Sequence, residues 1–202
     1  AQVLSMYRPV RRLILSIVVM ALAAIATGPV LAQPADGARV FLVLDASGSM
    51  WGRVGNQTKI EVARETIRTL LKDWRPQDQL GLVTYGHRRK GDCGDIEVLQ
   101  QVGPVDATAL MAQVNGIVPK GMTPRTASVK MAAEQLKASE GITSVILVSD
   151  GVETCNADPC AVAAALKKAD VRLVVHTVGF DVQDRQAVRQ LECMAAATGG
   201  LA

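Results

Sequence analysis

The chain has 202 residues, 49% of them hydrophobic and 3% aromatic, with a formal charge of +3 at pH 7. That apolar content excludes a disordered chain, and the scarcity of aromatics argues against a stacking platform for single-stranded nucleic acid. The excess charge sits in residues 1–32, which hold Arg8, Arg11 and Arg12 and no acid; the remainder is formally neutral and offers no basic stripe for a phosphate backbone.

Residues 1–5 precede Met6 and are left out of the fold. From Met6 a basic segment leads into the apolar run Leu13–Ala26 and then the small-residue stretch Val30–Ala32, the layout of a secretory signal peptide. The run is short for a membrane span of about 20 residues, so the expectation is export to the periplasm or beyond, with an uncleaved anchor as the alternative. Residues 33–38 read as a polar linker, and residues 39–202 as one domain.

Within that domain strand and helix signals alternate. Arg39–Leu44 is a continuous apolar strand, and Lys59–Trp74 is helical, with Ile60, Ala63, Ile67, Leu70, Leu71 and Trp74 on one face. Gln79–Tyr85 is a second strand and Ile96–Gln101 an edge strand. Asp106 caps a helix running through Ile117, and Pro124–Ser139 is a further helix. Ser144–Ser149 is another fully apolar strand. Asp158 and Pro159 open a helix to Ala169, Val171–Phe180 is a strand, and Asp184–Thr198 is a helix stopped by Gly199 and Gly200. Apolar strands alternating with amphipathic helices predict an α/β fold: a doubly wound, mostly parallel sheet covered on both faces, with one antiparallel edge strand.

Two strands run into an acid, Asp45 and Asp150. In an open parallel sheet ligands bind beyond the carboxyl ends of the strands, where strand order reverses. Two carboxylates on one rim call for a cation between them. Ser47 and Ser49 follow Asp45 at spacings of two and four, and Thr123 lies in a loop just before a helix. Asp, Ser, Ser, Thr and Asp form an all-oxygen set suited to Mg²⁺, Mn²⁺ or Ca²⁺ rather than to zinc or copper.

The stretch Asp45–Ser49, with Thr123 and Ser149–Gly151, resembles the metal-ion-dependent adhesion site of von Willebrand factor type A (VWA) domains, a Rossmann-like fold, over roughly residues 38–200. The stretches around Met50–Gly52 and Thr58–Arg64, Tyr85–Cys93 and Asp150–Cys160 are similar to exported bacterial members. The resemblance implies that Ser47, Ser49 and Thr123 touch a divalent cation, Mg²⁺ first and Mn²⁺ or Ca²⁺ next. Asp45 and Asp150 then act through bound water, and an acidic residue of a partner protein completes the shell. It implies a binding module rather than an enzyme, with no nucleic-acid partner and membrane contact only through an uncleaved N-terminal segment. The second reading is a scaffold of the same fold whose metal site is structural or unused. Domains of this kind continue past Gly199–Gly200 into one more strand, whose completeness here is in doubt.

A metal-dependent hydrolase is a weaker rival. Position 47 is Ser where an aspartyl phosphatase needs a second acid. His87 is the one plausible base, since His176 reads as a core or face residue. Gly116–Thr123 has the spacing of a phosphate-binding loop, but Met122 stands where Lys is required. Trp51 flanks the rim, and Arg88, Arg89 and Lys90 are either a solvated loop or a patch favouring an acidic partner. Cys93, Cys155, Cys160 and Cys193 suit disulfides in an exported chain. Cys93 and Cys155 both follow strand ends on one rim, and right-handed crossovers put the helices of Cys160 and Cys193 on one face. That placement favours Cys93–Cys155 and Cys160–Cys193; the competitor is a local Cys155–Cys160 loop.

Overall fold

The computed structural model describes residues 37–137, 141 and 143–202. The signal-like segment, most of the expected linker and the last two residues of the helix expected to reach Ser139 lie outside the described residues. A five-stranded sheet forms the centre, in the order β5-β4-β1-β6-β7, where β1 is Arg39–Asp45, β4 Gln79–Tyr85, β5 Ile96–Gly103, β6 Thr143–Ser149 and β7 Leu173–Gly179. β1 pairs in parallel with both β4 and β6, β6 pairs in parallel with β7, and β5 is antiparallel to β4 at one edge.

The strands read as unbroken apolar runs because both faces are covered. In β1, Phe41 and Val43 enter one core layer while Val40, Leu42 and Leu44 enter the other. The first layer is closed by α3 (Arg125–Leu136), α4 (Pro159–Ala169) and α5 (Arg185–Thr198), through Val129, Leu136, Leu166, Leu191 and Met194. The second is closed by α1 (Lys59–Lys72) and α2 (Ala107–Gly116), through Ile60, Ile67, Leu110 and Val114.

Helix starts follow their caps. Thr58 and Glu61 form a reciprocal capping box at α1, and Asp106, Asp158 and Asp184 each accept backbone N–H bonds at the starts of α2, α4 and α5. α5 ends on Gly199 at φ 80°.

The boundaries differ from expectation in a few places. α1 stops two residues early, because the Trp74 indole turns to donate to the Asp78 carbonyl at 3.1 Å. β5 runs two residues further, to Gly103. β7 begins at Leu173, after a turn in which the Leu173 N–H bonds to the Asp170 carbonyl. A 3-10 turn at Gly48–Trp51 and a small hairpin, β2 (Arg53–Val54) with β3 (Gln57–Thr58), fill a stretch the sequence left blank. Past α5, the Leu201 carbonyl accepts from the Thr177 N–H at 2.8 Å, so the tail lies along the free edge of β7; among the described residues it forms no sixth strand.

From β1 the chain moves through α1 to β4 on one side, and it later returns as β6 on the other. The carboxyl ends of β1 and β6 therefore flank the point of reversal.

Candidate functional site: a hydroxyl and carboxylate rim

Four loops meet above that reversal point. They follow β1 (residues 46–52), β4 (86–95) and β6 (150–158), and the fourth precedes α3 (117–124). Backbone bonds stitch them together. Gly48 N–H donates to Gly121 O at 3.0 Å, Gly121 N–H to Gly86 O at 2.7 Å, and Ala46 N–H to Tyr85 O at 3.0 Å. Such close approach explains Gly86: its φ is +70°, and a Cβ there would stand 2.6 Å from the Met122 carbonyl oxygen.

Asp45, at the end of β1, is fully buried. Its Oδ1 accepts the Ser47 N–H at 2.7 Å and its Oδ2 accepts the Ser149 hydroxyl at 2.6 Å. Burial raises its pKa, opposed by the hydrogen bonds from Ser149 and Ser47, while the nearby Asp150 charge raises it further. Behind it, the buried Tyr85 hydroxyl donates to Ser149 Oγ at 3.2 Å. Burial, together with the adjacent Asp45 charge, pushes the Tyr85 phenol well above its usual range, so it stays a neutral donor. Tyr85, Ser149 and Asp45 thus form a one-way relay that orients the carboxylate.

Asp150 is also buried. Its Oδ1 accepts the Ser49 hydroxyl at 2.7 Å, and Ser49 Oγ lies 3.0 Å from Ser47 Oγ. Its Oδ2 pairs with Lys59 Nζ at 2.9 Å. Thr123 is 4% exposed, and its loop is zipped to the β6 loop: Thr123 N–H donates to Thr154 Oγ1 at 2.8 Å and Thr154 N–H donates to Thr123 O at 3.3 Å. Ser47, Ser49, Thr123, Thr154 and Gly151 line one small cleft of about 260 Å³. All five residues expected at the site are therefore brought together at one rim: three hydroxyls at the cleft and two carboxylates bonded into its wall. Among the described residues no group of three or more His, Cys, Asp or Glu side chains is placed to hold a metal ion. A larger cleft, about 780 Å³, lies between the starts of α4 and α5. Its Asp158 is spent on capping α4, and apart from Glu192 its lining offers no further carboxylate and no hydroxyl.

The rim also has supports that sequence reasoning missed. Arg125 is fully buried, and its guanidinium donates to Gly151 O at 2.6 Å and to Gln190 Oε1. Burial lowers its pKa, while the Tyr85, Glu153 and Asp45 groups oppose the shift. Pro124 offers α3 no capping side chain. The acceptor comes instead from Glu153, which takes the Thr126 N–H at 2.8 Å with one oxygen and the Cys155 N–H at 2.8 Å with the other. Nothing in the local sequence marks Arg125 or Glu153, since both act across loops distant in the chain. Ser149 was visible as a strand-end hydroxyl beside Asp150, and Lys59 as a base at the first position of a helix, where an acid is favoured.

Two disulfides, Cys93–Cys155 and Cys160–Cys193, follow the expected pairing; the local Cys155–Cys160 loop does not form. The first ties the β4 loop to the β6 loop at the rim. Two residues of the basic run are paired locally: Arg88 with Asp95 at 2.8 Å and Glu97 at 3.2 Å, and Arg89 with Asp92 at 3.0 Å. His87 is taken up by Glu97 at 2.8 Å, and among the described residues it bonds to no serine hydroxyl. His176 accepts the Leu201 N–H at 3.2 Å on the sheet edge. Trp51 is 53% exposed and leans on the rim through its indole N–H to Pro119 O at 2.9 Å.

Fold and rim together define an open α/β domain whose carboxyl edge carries a preformed, oxygen-lined cleft. The sequence profile of the von Willebrand factor type A domain matches residues 40–199, and the chain belongs to that family. Protein YwmD of Bacillus subtilis (strain 168) is 26% identical over 172 residues, 80% of this chain and 75% of YwmD. Among solved structures, the vWF domain of the type V pili tip protein Mfa5 from Porphyromonas gingivalis superposes with a TM-score of 0.64 at 16% identity, over 84% of this chain and 90% of that one. Proximal thread matrix protein 1 of the mussel byssus, solved with a zinc-occupied MIDAS motif, has a TM-score of 0.62 at 19% identity, over 83% of this chain and 41% of its own.

Proposed function

We propose that the rim binds one divalent cation and, through it, an acidic side chain of a partner protein. The observation that carries this reading is the convergence of three hydroxyls from two separate loops on one small cleft, with two buried carboxylates hydrogen-bonded to Ser47 and Ser49 behind it. The fit to a hard cation is chemical: every donor is oxygen. A fully buried carboxylate whose pKa is raised by burial also gains from a positive neighbour. Ser47, Ser49 and Thr123 would hold the ion, with Asp45 and Asp150 behind them; Mg²⁺ suits the set first, with Mn²⁺ or Ca²⁺ as alternatives. The ion would supply a positive charge with an exchangeable position facing outward. The protein's own part is to fix the hydroxyls, orient Asp45 through Ser149, and hold the loops with Arg125 and Cys93–Cys155.

The function is binding rather than catalysis. His87, the one candidate base, bonds to Glu97 and, among the described residues, to no serine or threonine hydroxyl that it could activate. An extracytoplasmic setting agrees with two disulfides among the described residues; the finer choice between periplasm and secretion is left to the signal-like segment. Trp51, exposed beside the cleft, is the natural reporter. Its fluorescence should change when a glutamate-containing peptide is added in Mg²⁺ and not in chelator. A response of equal size in both conditions contradicts the cation-dependent reading.

A further inference from the structure

Lys59 departs from a local rule. It is the first residue of α1, where the exposed N–H groups and the helix dipole favour an acid. Its side chain is nonetheless only 13% exposed and is built into the rim. The ammonium lies 2.9 Å from Asp150 Oδ2 and 3.3 Å from the Asp181 carbonyl beyond β7. Its backbone N–H bonds to Gly52 O at 2.8 Å, and its stem passes so close to Gly52 that a Cβ there would stand 3.3 Å from Lys59 Cε. Backbone, stem and charge all serve to deliver one positive group to one oxygen of a carboxylate whose other oxygen faces Ser49. Locally unfavourable choices of this kind mark functional positions.

We propose that Lys59 is a built-in counter-charge that sets the cation site's selectivity between its two ligands: it weakens the divalent cation and strengthens the incoming carboxylate. This rests on the cation reading above. Two carboxylates alone would be formally neutralised by a divalent ion, leaving little attraction for an acid. With Lys59 in place the loaded site keeps one net positive charge. Before loading, Lys59 shields Asp150, so the metal-free rim stays assembled instead of springing apart by like-charge repulsion with Asp45. The cost of that shielding is lower cation affinity, since the ion must share Asp150 with an ammonium.

The test is calorimetric titration of Mg²⁺ into the chelator-treated full chain, for wild type, Lys59→Met and Lys59→Arg. Removing a unit charge from beside a partly buried site should change affinity roughly tenfold or more. Lys59→Met is expected to bind Mg²⁺ more tightly by about that factor, and Lys59→Arg to match wild type. Acetate should in turn bind more weakly to Mg²⁺-loaded Lys59→Met than to loaded wild type. Without metal, Lys59→Met should melt below wild type, and saturating Mg²⁺ should close most of the gap. Should the methionine variant not fold, Lys59→Gln carries the same comparison. Unchanged or weaker Mg²⁺ binding by the uncharged variants, with wild type binding normally, overturns the role of Lys59 and leaves the cation site standing. Cooperatively folded proteins that take up no Mg²⁺, wild type and variants alike, overturn the cation site and this proposal with it.

Discussion

Ser149→Ala removes the middle of the relay behind Asp45. Ser149 is fully buried, as are both of its partners. The lost bond to Asp45 Oδ2, at 2.6 Å, is charge-assisted and contributes about 1.5–3 kcal/mol. The Tyr85 hydroxyl, 3.2 Å away on the other side, is left as a buried donor without this acceptor, at a further cost of about 1–3 kcal/mol. The variant should therefore lose on the order of 3–5 kcal/mol. Tyr85→Phe deletes one neutral, long hydrogen bond and leaves Ser149 its bond to Asp45, so it should cost only about 1 kcal/mol. The double variant has no orphaned phenol and should lose less than the two single losses added together. Urea unfolding of the four proteins, at constant m-value, measures all three quantities. A Ser149→Ala loss below about 1 kcal/mol, or one no larger than that of Tyr85→Phe, would refute the idea that this relay holds Asp45 in place.

Gly86→Ala places a Cβ 2.6 Å from a backbone oxygen at φ +70°, whereas Gly55→Ala at φ +58° meets nothing within 4 Å. The first should cost about 3 kcal/mol and the second about 1 kcal/mol in denaturant unfolding; equal losses would mean that the rim loops are not packed as described. Asp95 is buried, and although burial works against it, hydrogen bonds from Arg89 and Arg88 hold its carboxyl down at about 2. Its folded pKa lies below the unfolded value, so its contribution is complete above about pH 4 and is lost as pH falls towards 2. Discounted for the half-exposed Arg88, Asp95→Asn should cost about 1–2 kcal/mol at pH 7, with the gap to wild type closing under acid; a pH-independent gap would contradict it.

Much of this architecture is legible in the chain itself. The apolar runs of β1 and β6 and the helix caps Asp106, Asp158 and Asp184 are local signals, and the folded chain uses them as read. The shared placement of the five rim residues was also readable, because each lies at or just beyond a strand end or just before a helix start. The 3-10 turn and the β2–β3 hairpin were not, since two-residue strands carry no period. Arg125, Glu153 and Tyr85 gained their roles only from loops joined across long sequence separations. Lys59 lies between these cases: its oddity at a helix start is local, but its target, Asp150, is 91 positions away.

The central claim is that these five oxygen-bearing residues make one cation site. Titration of Mg²⁺ into chelator-treated protein should give a single saturable event, abolished in Asp45→Ala and weakened in Thr123→Ala while both variants still unfold cooperatively. Absence of saturable binding by the wild type, or equal binding by Asp45→Ala, would contradict it.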